Sequence, residues 1–263
     1  MAGKTIVVTS GKGGVGKTTT VANLGTSLAK KKYSVVMVDT DIGLRNLDVV
    51  MGLENRIVYN LVDIIEGKCR KEQAMIRDRK ISNLCMIPAA QTREKNSITP
   101  EQMKELCSSL ADEFDFVLID CPAGIEQGFK NAIAGADTAL VVTTPEVSAI
   151  RDADRVIGLL EAAMLRQISL IINRLNAKMV KKGDMMSTED IISLLSVPLL
   201  GVVPESEEVV VSTNRGVPLV HDRSSKAGAA FRLMADRLNG ENLPPDGKGS
   251  LGFIGRMKRL IWN

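Results

Sequence analysis

The stretch 11–18 constrains the fold of this chain more than any other part of the sequence. It reads Gly-Lys-Gly-Gly-Val-Gly-Lys-Thr and fits the pattern G-x-x-x-x-G-K-[ST] at every fixed position. The apolar run 6–8 precedes it and the helical pattern of Val21, Leu24 and Leu28 follows it, so the glycines lie between a strand and a helix N-terminus. Glycines allow successive N–H groups to point inward, and the helix dipole adds positive potential there. The stretch therefore predicts a loop that binds polyphosphate.

Each position of this loop is a candidate contact to the bound molecule. Lys17 can reach the terminal phosphates, and the Thr18 hydroxyl is placed to ligate a magnesium ion that bridges two of them. A glycine-rich turn without a ligand is the alternative interpretation. The candidate binding residues are Gly11, Lys12, Gly13, Gly14, Val15, Gly16, Lys17, Thr18 and Thr19.

Charge and composition exclude several other kinds of protein. The net charge is +3, and the three basic residues of the stretch 251–263 account for all of it, so the body is neutral and no nucleic-acid partner is expected. We find no apolar run as long as a membrane span and no signal peptide, which predicts a cytoplasmic or plastid-stromal protein. Four cysteines without a C-x-x-C pair argue against a zinc site or a disulfide framework, and His221 has no acid–base partner in the sequence.

Strand and helix patterns alternate along the chain, which predicts an α/β fold with a doubly wound, mostly parallel sheet and helices on both faces. We expect a body over residues 1–240, a Pro/Gly-rich linker over 241–250 and a separate segment over 251–263. Ligands of such sheets bind at the carboxyl ends of the strands. The predicted strands are 5–9, 35–39, 84–88, 116–120, 139–143, 169–173 and 199–203. The predicted helices are 18–31, 100–114, 148–165, 187–195 and 226–239.

Acidic residues end two of the predicted strands. Asp39 and Asp41 follow the second, and Asp120 ends the fourth after a run of apolar residues. This apolar run ending in Asp is the Walker B pattern, which places Asp120 where it can hold magnesium through a water. The carboxylates of Asp39 and Asp41, at the carboxyl end of a strand adjacent to the loop, would lie close to the same ion and to the γ-phosphate. For Asp39 or Asp41 alone, a turn at the strand end would be the favoured interpretation, and for Asp120 the pattern alone is weak because many strands end in Asp. Beside the phosphate loop, the set predicts a metal and phosphate site.

A second lysine, Lys12, lies at the start of the loop, on the opposite side from Lys17. With it, the stretch 12–18 reads K-G-G-x-x-G-K-[ST] and resembles the deviant Walker A ATPases, the ParA/MinD family. The resemblance implies a P-loop NTPase fold, hydrolysis of ATP with Mg²⁺, and an ATP-dependent homodimer in which Lys12 contacts phosphate in trans.

The same resemblance implies roles for residues outside the loop. Asp41 would orient the attacking water as part of a first switch segment, and Asp39 would support the metal region. Gly124 in the Pro-Ala-Gly stretch would be the hinge of a second switch that senses the γ-phosphate. Asn173 and the pair Pro204-Glu205 would contact the adenine. A turn that initiates a helix is an alternative for Pro204-Glu205.

The stretch 146–154 opens a predicted helix and resembles the dimer and partner face of the same family. Glu146, Ser148 and Asp152 are the candidate contacts, and Asp152 is a candidate partner for Lys12. Acids also suit the N-terminus of a helix on electrostatic grounds alone.

The last thirteen residues, 251–263, predict an amphipathic helix that lies on a membrane. On a helical wheel, five apolar side chains share an arc of roughly 120° with basic residues beside it. The helix would extend about 20 Å against a hydrocarbon core of about 30 Å, so it cannot cross a bilayer. A terminal helix packed on its own body is the alternative. The predicted membrane contacts are Phe253, Ile254, Arg256, Met257, Lys258, Arg259, Leu260, Ile261 and Trp262.

This tail, with the stretches 42–48 and 122–124, narrows the resemblance to the branch of the family that places the cell or plastid division site. That branch implies a peripheral ATPase, reversibly bound to the inner face of the anionic cell membrane. It would recruit a division inhibitor (MinC-like) and be released by an activator of hydrolysis (MinE-like). The competing interpretations are a ParA-type DNA-segregation ATPase, an iron–sulfur carrier that uses Cys121, and a scaffold that does not hydrolyse ATP.

Overall fold

The computed structural model describes residues 2–93, 97–165 and 167–240. In these residues eight strands form one sheet in the order β3-β4-β2-β5-β1-β6-β7-β8. All neighbouring pairs are parallel except β3 and β4, which are antiparallel. The strands are β1 (Lys4–Thr9), β2 (Val35–Asp39), β3 (Ile76–Arg77), β4 (Leu84–Ile87), β5 (Phe116–Asp120), β6 (Thr138–Thr143), β7 (Gln167–Leu175) and β8 (Leu199–Pro204).

The helices connect these strands and cover both faces of the sheet. Two short 3₁₀ turns, Glu54–Arg56 and Leu219–His221, accompany them. The helices are α1 (Lys17–Lys30), α2 (Leu47–Met51), α3 (Leu61–Ile65), α4 (Lys71–Ala74), α5 (Pro100–Ala111), α6 (Gln127–Ala134), α7 (Val147–Ala162), α8 (Ala177–Lys182), α9 (Thr188–Leu195), α10 (Glu208–Asn214) and α11 (Lys226–Leu238).

Two hydrophobic cores lie on opposite faces of the sheet. Successive side chains of a strand point to opposite faces, so Val7 enters one core while Ile6 and Val8 enter the other. The first core is packed by α5, α6, α7 and α9, and the second by α1, α2 and α11. Because the central strands are buried on both faces, their sequences are continuously apolar rather than alternating.

The predicted doubly wound, mostly parallel sheet is confirmed, and all seven predicted strands are present. The largest difference in their bounds is at β7, which extends two residues beyond the prediction at each end. The prediction missed β3, an antiparallel edge strand of two residues of which Arg77 is exposed. It also missed α2, α3, α4, α6, α8 and α10, since helices of four to eight residues carry too few turns to show a helical period.

Local capping sets the ends of the predicted helices. Thr99 caps α5 and accepts a hydrogen bond from the backbone N–H of Gln102, while Pro100 occupies the first helical position. Ser187 caps α9 in the same way. The helix therefore begins at Thr188, one residue after the start that the sequence predicts. Helix α5 ends at Ala111, three residues before the predicted end.

The predicted linker 241–250 and membrane segment 251–263 lie outside the described residues. Among the residues that are described, no helix is both long and apolar enough to span a bilayer.

Candidate nucleotide site

The glycine-rich loop between β1 and α1 depends on backbone conformations that favour glycine. Gly16, which caps α1, has φ +105°, and Gly14 has φ +78°. A Cβ on Gly16 would lie 2.3 Å from Nδ2 of Asn173, so a larger residue would displace that side chain. The loop therefore has the left-handed turns that the sequence pattern requires, and its N–H groups lie at the N-terminus of α1.

Lys17 is held inside this loop. Its side chain is buried, and Nζ donates a hydrogen bond to Oγ of Ser10 at 3.0 Å. The Ser10 hydroxyl in turn donates to the backbone carbonyl of Lys12 at 2.8 Å. The sequence analysis did not identify Ser10, because a single hydroxyl before the loop has no characteristic spacing. We infer that Ser10 positions the ammonium group of Lys17 for phosphate.

Asp120 is a buried carboxylate at the edge of the loop. Parallel pairing of β2 and β5 places Asp39 opposite Asp120. The Thr18 hydroxyl bonds the Asp120 carboxylate, but Oδ1 has no hydrogen-bond partner among the described residues. Burial, and then the charge of Asp39, raise the pKa of Asp120 well above its usual value. A buried oxygen without a partner beside a phosphate loop fits a hard cation such as Mg²⁺.

Asp39 anchors the segment that follows β2. Its Oδ1 accepts the backbone N–H of Asp41 at 3.0 Å and its Oδ2 accepts that of Leu47 at 3.2 Å. Burial raises the pKa of Asp39 to about 6, although these two hydrogen bonds oppose the shift. Both oxygens thus hold the first switch segment, 40–46, at its two ends, and support of a metal by Asp39 stays a prediction.

The two switch segments meet the end of β5. Thr40 donates to the carbonyl of Asp120 from its backbone N–H at 3.1 Å and from its hydroxyl at 2.7 Å. Gly124, in the second segment, has φ +92° with open space beside it. The segment that carries Asp41 is therefore fixed to the strand that carries Asp120, which suits a site where both residues act on one ligand. The sequence analysis did not identify Thr40.

Asn173 holds the loop from the neighbouring strand. Its Nδ2 donates to the carbonyl of Val15 at 2.7 Å, and its Oδ1 accepts the backbone N–H of Arg174 at 2.9 Å. Arg174 has φ +57°, and its Nη2 donates to the carbonyl of Gly14 at 2.9 Å. Contact of Asn173 with an adenine stays a prediction; in this structure its amide bonds backbone groups. The loop contact of Arg174 has no sequence pattern that would have revealed it.

Pro204 and Glu205 leave the sheet without starting a helix. Pro204 is the last residue of β8, and α10 begins only at Glu208, so the alternative of a helix-initiating turn is wrong. The Glu205 backbone N–H donates to the carbonyl of Leu175 at 3.1 Å, and its Oε2 accepts Nδ2 of Asn176 at 2.8 Å. These bonds fix the 204–205 turn beside the strand that carries Asn173.

Three of the predicted dimer residues surround the start of the loop. Nζ of Lys12 lies 3.6 Å from Oε2 of Glu146 and 3.5 Å from Oγ of Ser148, with about half of the side chain exposed. Asp152 instead packs on Gly11, where a Cβ would lie 2.4 Å from the Asp152 carbonyl oxygen. Within one chain, Lys12 therefore contacts Glu146 and Ser148. Any contact of Lys12 with Asp152 stays a prediction.

Three of the four cysteines are buried in the fold. Cys85, Cys107 and Cys121 are buried free thiols, and burial raises the pKa of Cys107 and of Cys121 to about 12. Such thiols are unreactive. In the described ranges no group of three or more His, Cys, Asp or Glu side chains is arranged to hold a metal ion.

Comparison with known proteins identifies a family. The model of the CobQ/CobB/MinD/ParA nucleotide binding domain matches residues 6–219. A putative septum site-determining protein MinD of Guillardia theta is 56% identical over 239 residues, which are 90% of this chain and 89% of that protein. The septum site-determining protein MinD of Bacillus subtilis is 54% identical over 244 residues, 92% of this chain and 91% of that protein.

Solved structures give the same result. A MinC:MinD cell division protein complex of Aquifex aeolicus superposes with a TM-score of 0.83 at 46% identity, covering 94% of this chain and 100% of that one. The septum site-determining protein MinD of Pyrococcus horikoshii, complexed with Mg-ADP, has a TM-score of 0.82 at 32% identity, covering 90% of this chain and 96% of that one.

Proposed function

Because this chain belongs to the MinD family of septum site-determining proteins, we propose that it is an ATP-hydrolysing switch. ATP would pair two copies, and the pair would bind the membrane and place the division site. The observation that carries the proposal is the phosphate loop with Lys17 held inside it, beside the unpartnered buried oxygen of Asp120.

The residues of the site would have separate roles in hydrolysis. The loop N–H groups and Lys17 would bind the β- and γ-phosphates, and Thr18 with Asp120 would hold Mg²⁺, which neutralises developing phosphate charge when bound. Asp41 would orient water, since Asp39 holds its backbone and Thr40 ties the same segment to β5. Relief of the buried negative charge at Asp120 favours cation binding.

Lys12 would complete the site of a second copy. Its side chain is half exposed at the start of the loop and the body does not bury it, so it is free to exchange Glu146 and Ser148 for a phosphate across a dimer. A cation supplied from a second molecule stabilises charge that develops in phosphoryl transfer. Hydrolysis would then require pairing.

The tail would turn pairing into membrane attachment. Five apolar side chains in the stretch 251–263 give several kcal/mol at about 1.5–3 each, less the cost of ordering the helix, and each basic residue adds about 1 kcal/mol. One tail therefore binds weakly and reversibly. Two tails on a dimer bind far more tightly, because the second contact is intramolecular. Loss of the γ-phosphate would release the protein from the inner face of the membrane.

The partners follow from the family. The Aquifex relative is a MinC:MinD complex, so we propose a MinC-like division inhibitor as the recruited partner. A MinE-like activator that stimulates hydrolysis is proposed on the family resemblance alone. The neutral body and the family assignment give no support to a DNA-segregation ATPase or an iron–sulfur carrier.

Co-sedimentation with anionic vesicles tests the proposal. We expect the full chain to pellet with a slowly hydrolysed ATP analogue and to stay in the supernatant with ADP. A chain ending at Ser250 should stay in the supernatant with either nucleotide. The Lys17→Ala variant is the control, because it keeps the tail but loses a phosphate contact.

Two results would contradict the proposal. The first is binding to vesicles that does not depend on the nucleotide, and the second is a protein that stays monomeric when saturated with the analogue. Salt-sensitive binding to duplex DNA by the chain ending at Ser250 would instead support a DNA-segregation ATPase.

A further inference from the structure

Four cations gather on the surface at the end of α1, away from the nucleotide site. Lys30 lies in the last turn of α1, Lys80 in the loop between β3 and β4, Arg223 after the 3₁₀ turn Leu219–His221, and Arg232 in α11. The charges of Arg232, Arg223 and Lys80 all act on Lys30. We call these four residues the basic patch.

Two of these cations bind carbonyl groups of the fold. Nζ of Lys30 donates to the carbonyl of Val220 at 2.9 Å, and Nη1 of Arg232 donates to that of Asp222 at 2.9 Å. These bonds hold the 3₁₀ turn against α1 and α11. They satisfy hydrogen bonds, and the charge of Arg232 also contributes to lowering the pKa of the nearby Asp222 carboxyl group.

The other two cations of the basic patch do not bind carbonyl groups of the described fold. Lys80 and Arg223 are exposed, and in the described part of the chain their side chains form no hydrogen bond or ion pair. Two acids lie nearby, but Oδ1 of Asp78 accepts the backbone N–H groups of Lys80 and Ile81. Oδ1 of Asp222 likewise accepts the backbone N–H and the hydroxyl of Ser224. Neither acid forms an ion pair with the basic patch in the described residues.

The positive charges of the basic patch repel one another. Burial, and then the charges of Arg232, Arg223 and Lys80, lower the pKa of Lys30. Burial and the charges of Lys30 and Lys80 lower the pKa of His221, so this histidine is neutral at pH 7. The basic patch is therefore a region of positive potential that an anionic surface would relieve.

The basic patch and the point where the chain leaves the body share the helices α1 and α11. Lys31, next to Lys30, forms an ion pair with Asp236 in the last turns of α11. Two residues after α11 the described body ends at Gly240, and the linker and the tail follow. Helices α1 and α11 pack on one face of the sheet, and α7, which carries the predicted partner residues, packs on the other.

We propose that the basic patch rests on anionic lipid headgroups when the tail is bound to the membrane. This inference rests on the proposed function, because the tail brings this face of the body to the bilayer. Lipid is favoured over a nucleic acid because the basic patch lies on the helices from which the chain continues toward the lipid-type segment 251–263, while the body as a whole, patch included, has no net charge. The patch would orient each body on the membrane and leave α7 exposed to partners on the opposite face.

Charge reversal tests the proposal in the full-length chain. We would compare the double variant Lys80→Glu/Arg223→Glu with the matched double variant Lys104→Glu/Lys130→Glu. Lys104 and Lys130 are exposed on α5 and α6, on the opposite face of the sheet. Both variants change the net charge equally, and neither touches a nucleotide contact.

Binding to vesicles that contain phosphatidylglycerol is measured with the slowly hydrolysed ATP analogue, over a range of salt. We expect the patch variant to bind at least about tenfold more weakly than the control variant, with a smaller dependence on salt. Equal dimerisation of the two variants, measured in solution, shows that the nucleotide response is intact.

Equal vesicle binding by the two variants would overturn the role of the basic patch while leaving the proposed function in place. Vesicle binding by the chain ending at Ser250 would overturn the proposed function itself. If only the binding of duplex DNA separates the two variants, the patch contacts nucleic acid and the lipid assignment is wrong.

Discussion

At the scale of single residues, the site concentrates negative charge where a ligand can use it. Asp39 and Asp120 lie opposite each other in neighbouring strands, and burial raises the pKa of both. Asp39 is stabilised by two backbone N–H groups, whereas Asp120 keeps one oxygen without a partner among the described residues. This difference fits the prediction that Asp120 holds the cation, while the carboxylate of Asp39 holds the first switch segment.

The lowered pKa of His221 predicts how the stability of the protein depends on pH. The effect can be assigned to this residue, because the chain has one histidine. Burial and the charges of Lys30 and Lys80 lower the pKa of His221 below 6.5, so the unfolded chain binds this proton more readily than the folded chain. The stability that neutral His221 contributes is therefore present above pH 6.5 and is lost as the pH falls through its folded pKa.

The measurement is the free energy of unfolding in denaturant for the unchanged chain and for His221→Gln, at several pH values from about 7.5 down to about 5.5. The unchanged chain should lose stability relative to the variant as the pH falls. Carboxylates contribute equally to both proteins and cancel in the difference. Parallel curves would show that His221 keeps its ordinary pKa in the fold.

At the scale of elements, a backbone contact joins the end of α2, the helix that follows the first switch segment, to the turn after α10. Helix α2 begins where Asp39 holds Leu47 and ends at Gly52, which has φ +65°. Gly216, with φ +60°, follows α10 and packs on Gly52, so a Cβ on Gly216 would lie 2.6 Å from the Gly52 Cα. The two ends of the candidate nucleotide site, at β2 and at β8, are thus connected through α2 and α10.

This contact predicts that Gly216→Ala destabilises the protein more than Gly183→Ala. Both glycines have positive φ, so each substitution costs about 1–2 kcal/mol of backbone strain. Only at Gly216 does the new Cβ also meet the backbone of Gly52, while nothing lies within 4 Å at Gly183. Urea unfolding gives the difference in stability. Equal losses of stability for the two variants would mean that the backbone of Gly52 can move away from the new Cβ without destabilising the protein.

At the scale of the whole molecule, the fold separates three surfaces. The carboxyl ends of β1, β2 and β5 carry the nucleotide site and Lys12. Helix α7 and its neighbours cover one face of the sheet, and α1 with α11 covers the other, beside the basic patch. A second copy, a partner protein and a membrane could therefore be bound at once, and nucleotide binding would decide whether the first is present.

The proposed pairing of two copies predicts how the rate of ATP hydrolysis depends on Lys12. We expect the rate of ATP hydrolysis per molecule on anionic vesicles to rise with protein concentration in the unchanged chain. In Lys12→Ala the rate should stay flat and at least about tenfold lower, because the cation supplied in trans is lost. Binding of ATP should persist, since Lys17 and Ser10 are unchanged. Lys130→Ala, which removes an exposed lysine on α6, is the control. Full turnover by Lys12→Ala would remove its proposed role.

The sequence by itself determined the architecture and the phosphate loop. Continuous apolar strands fixed the parallel sheet, and the pattern of Gly14, Gly16 and Lys17 fixed the loop, because both are local and periodic features. The position of Asp120 beside the loop could also be predicted, because an apolar strand that ends in Asp is typical of chains with such a loop.

Only the tertiary structure decided how the loop is held and which surfaces adjoin the site. Ser10, Thr40 and Arg174 contact the loop or the end of β5 through hydrogen bonds that correspond to no spacing pattern in the sequence. The contact of Gly52 with Gly216 and the basic patch join residues far apart along the chain. Such contacts depend on how distant elements pack, and neither propensity nor periodicity of one segment carries that information.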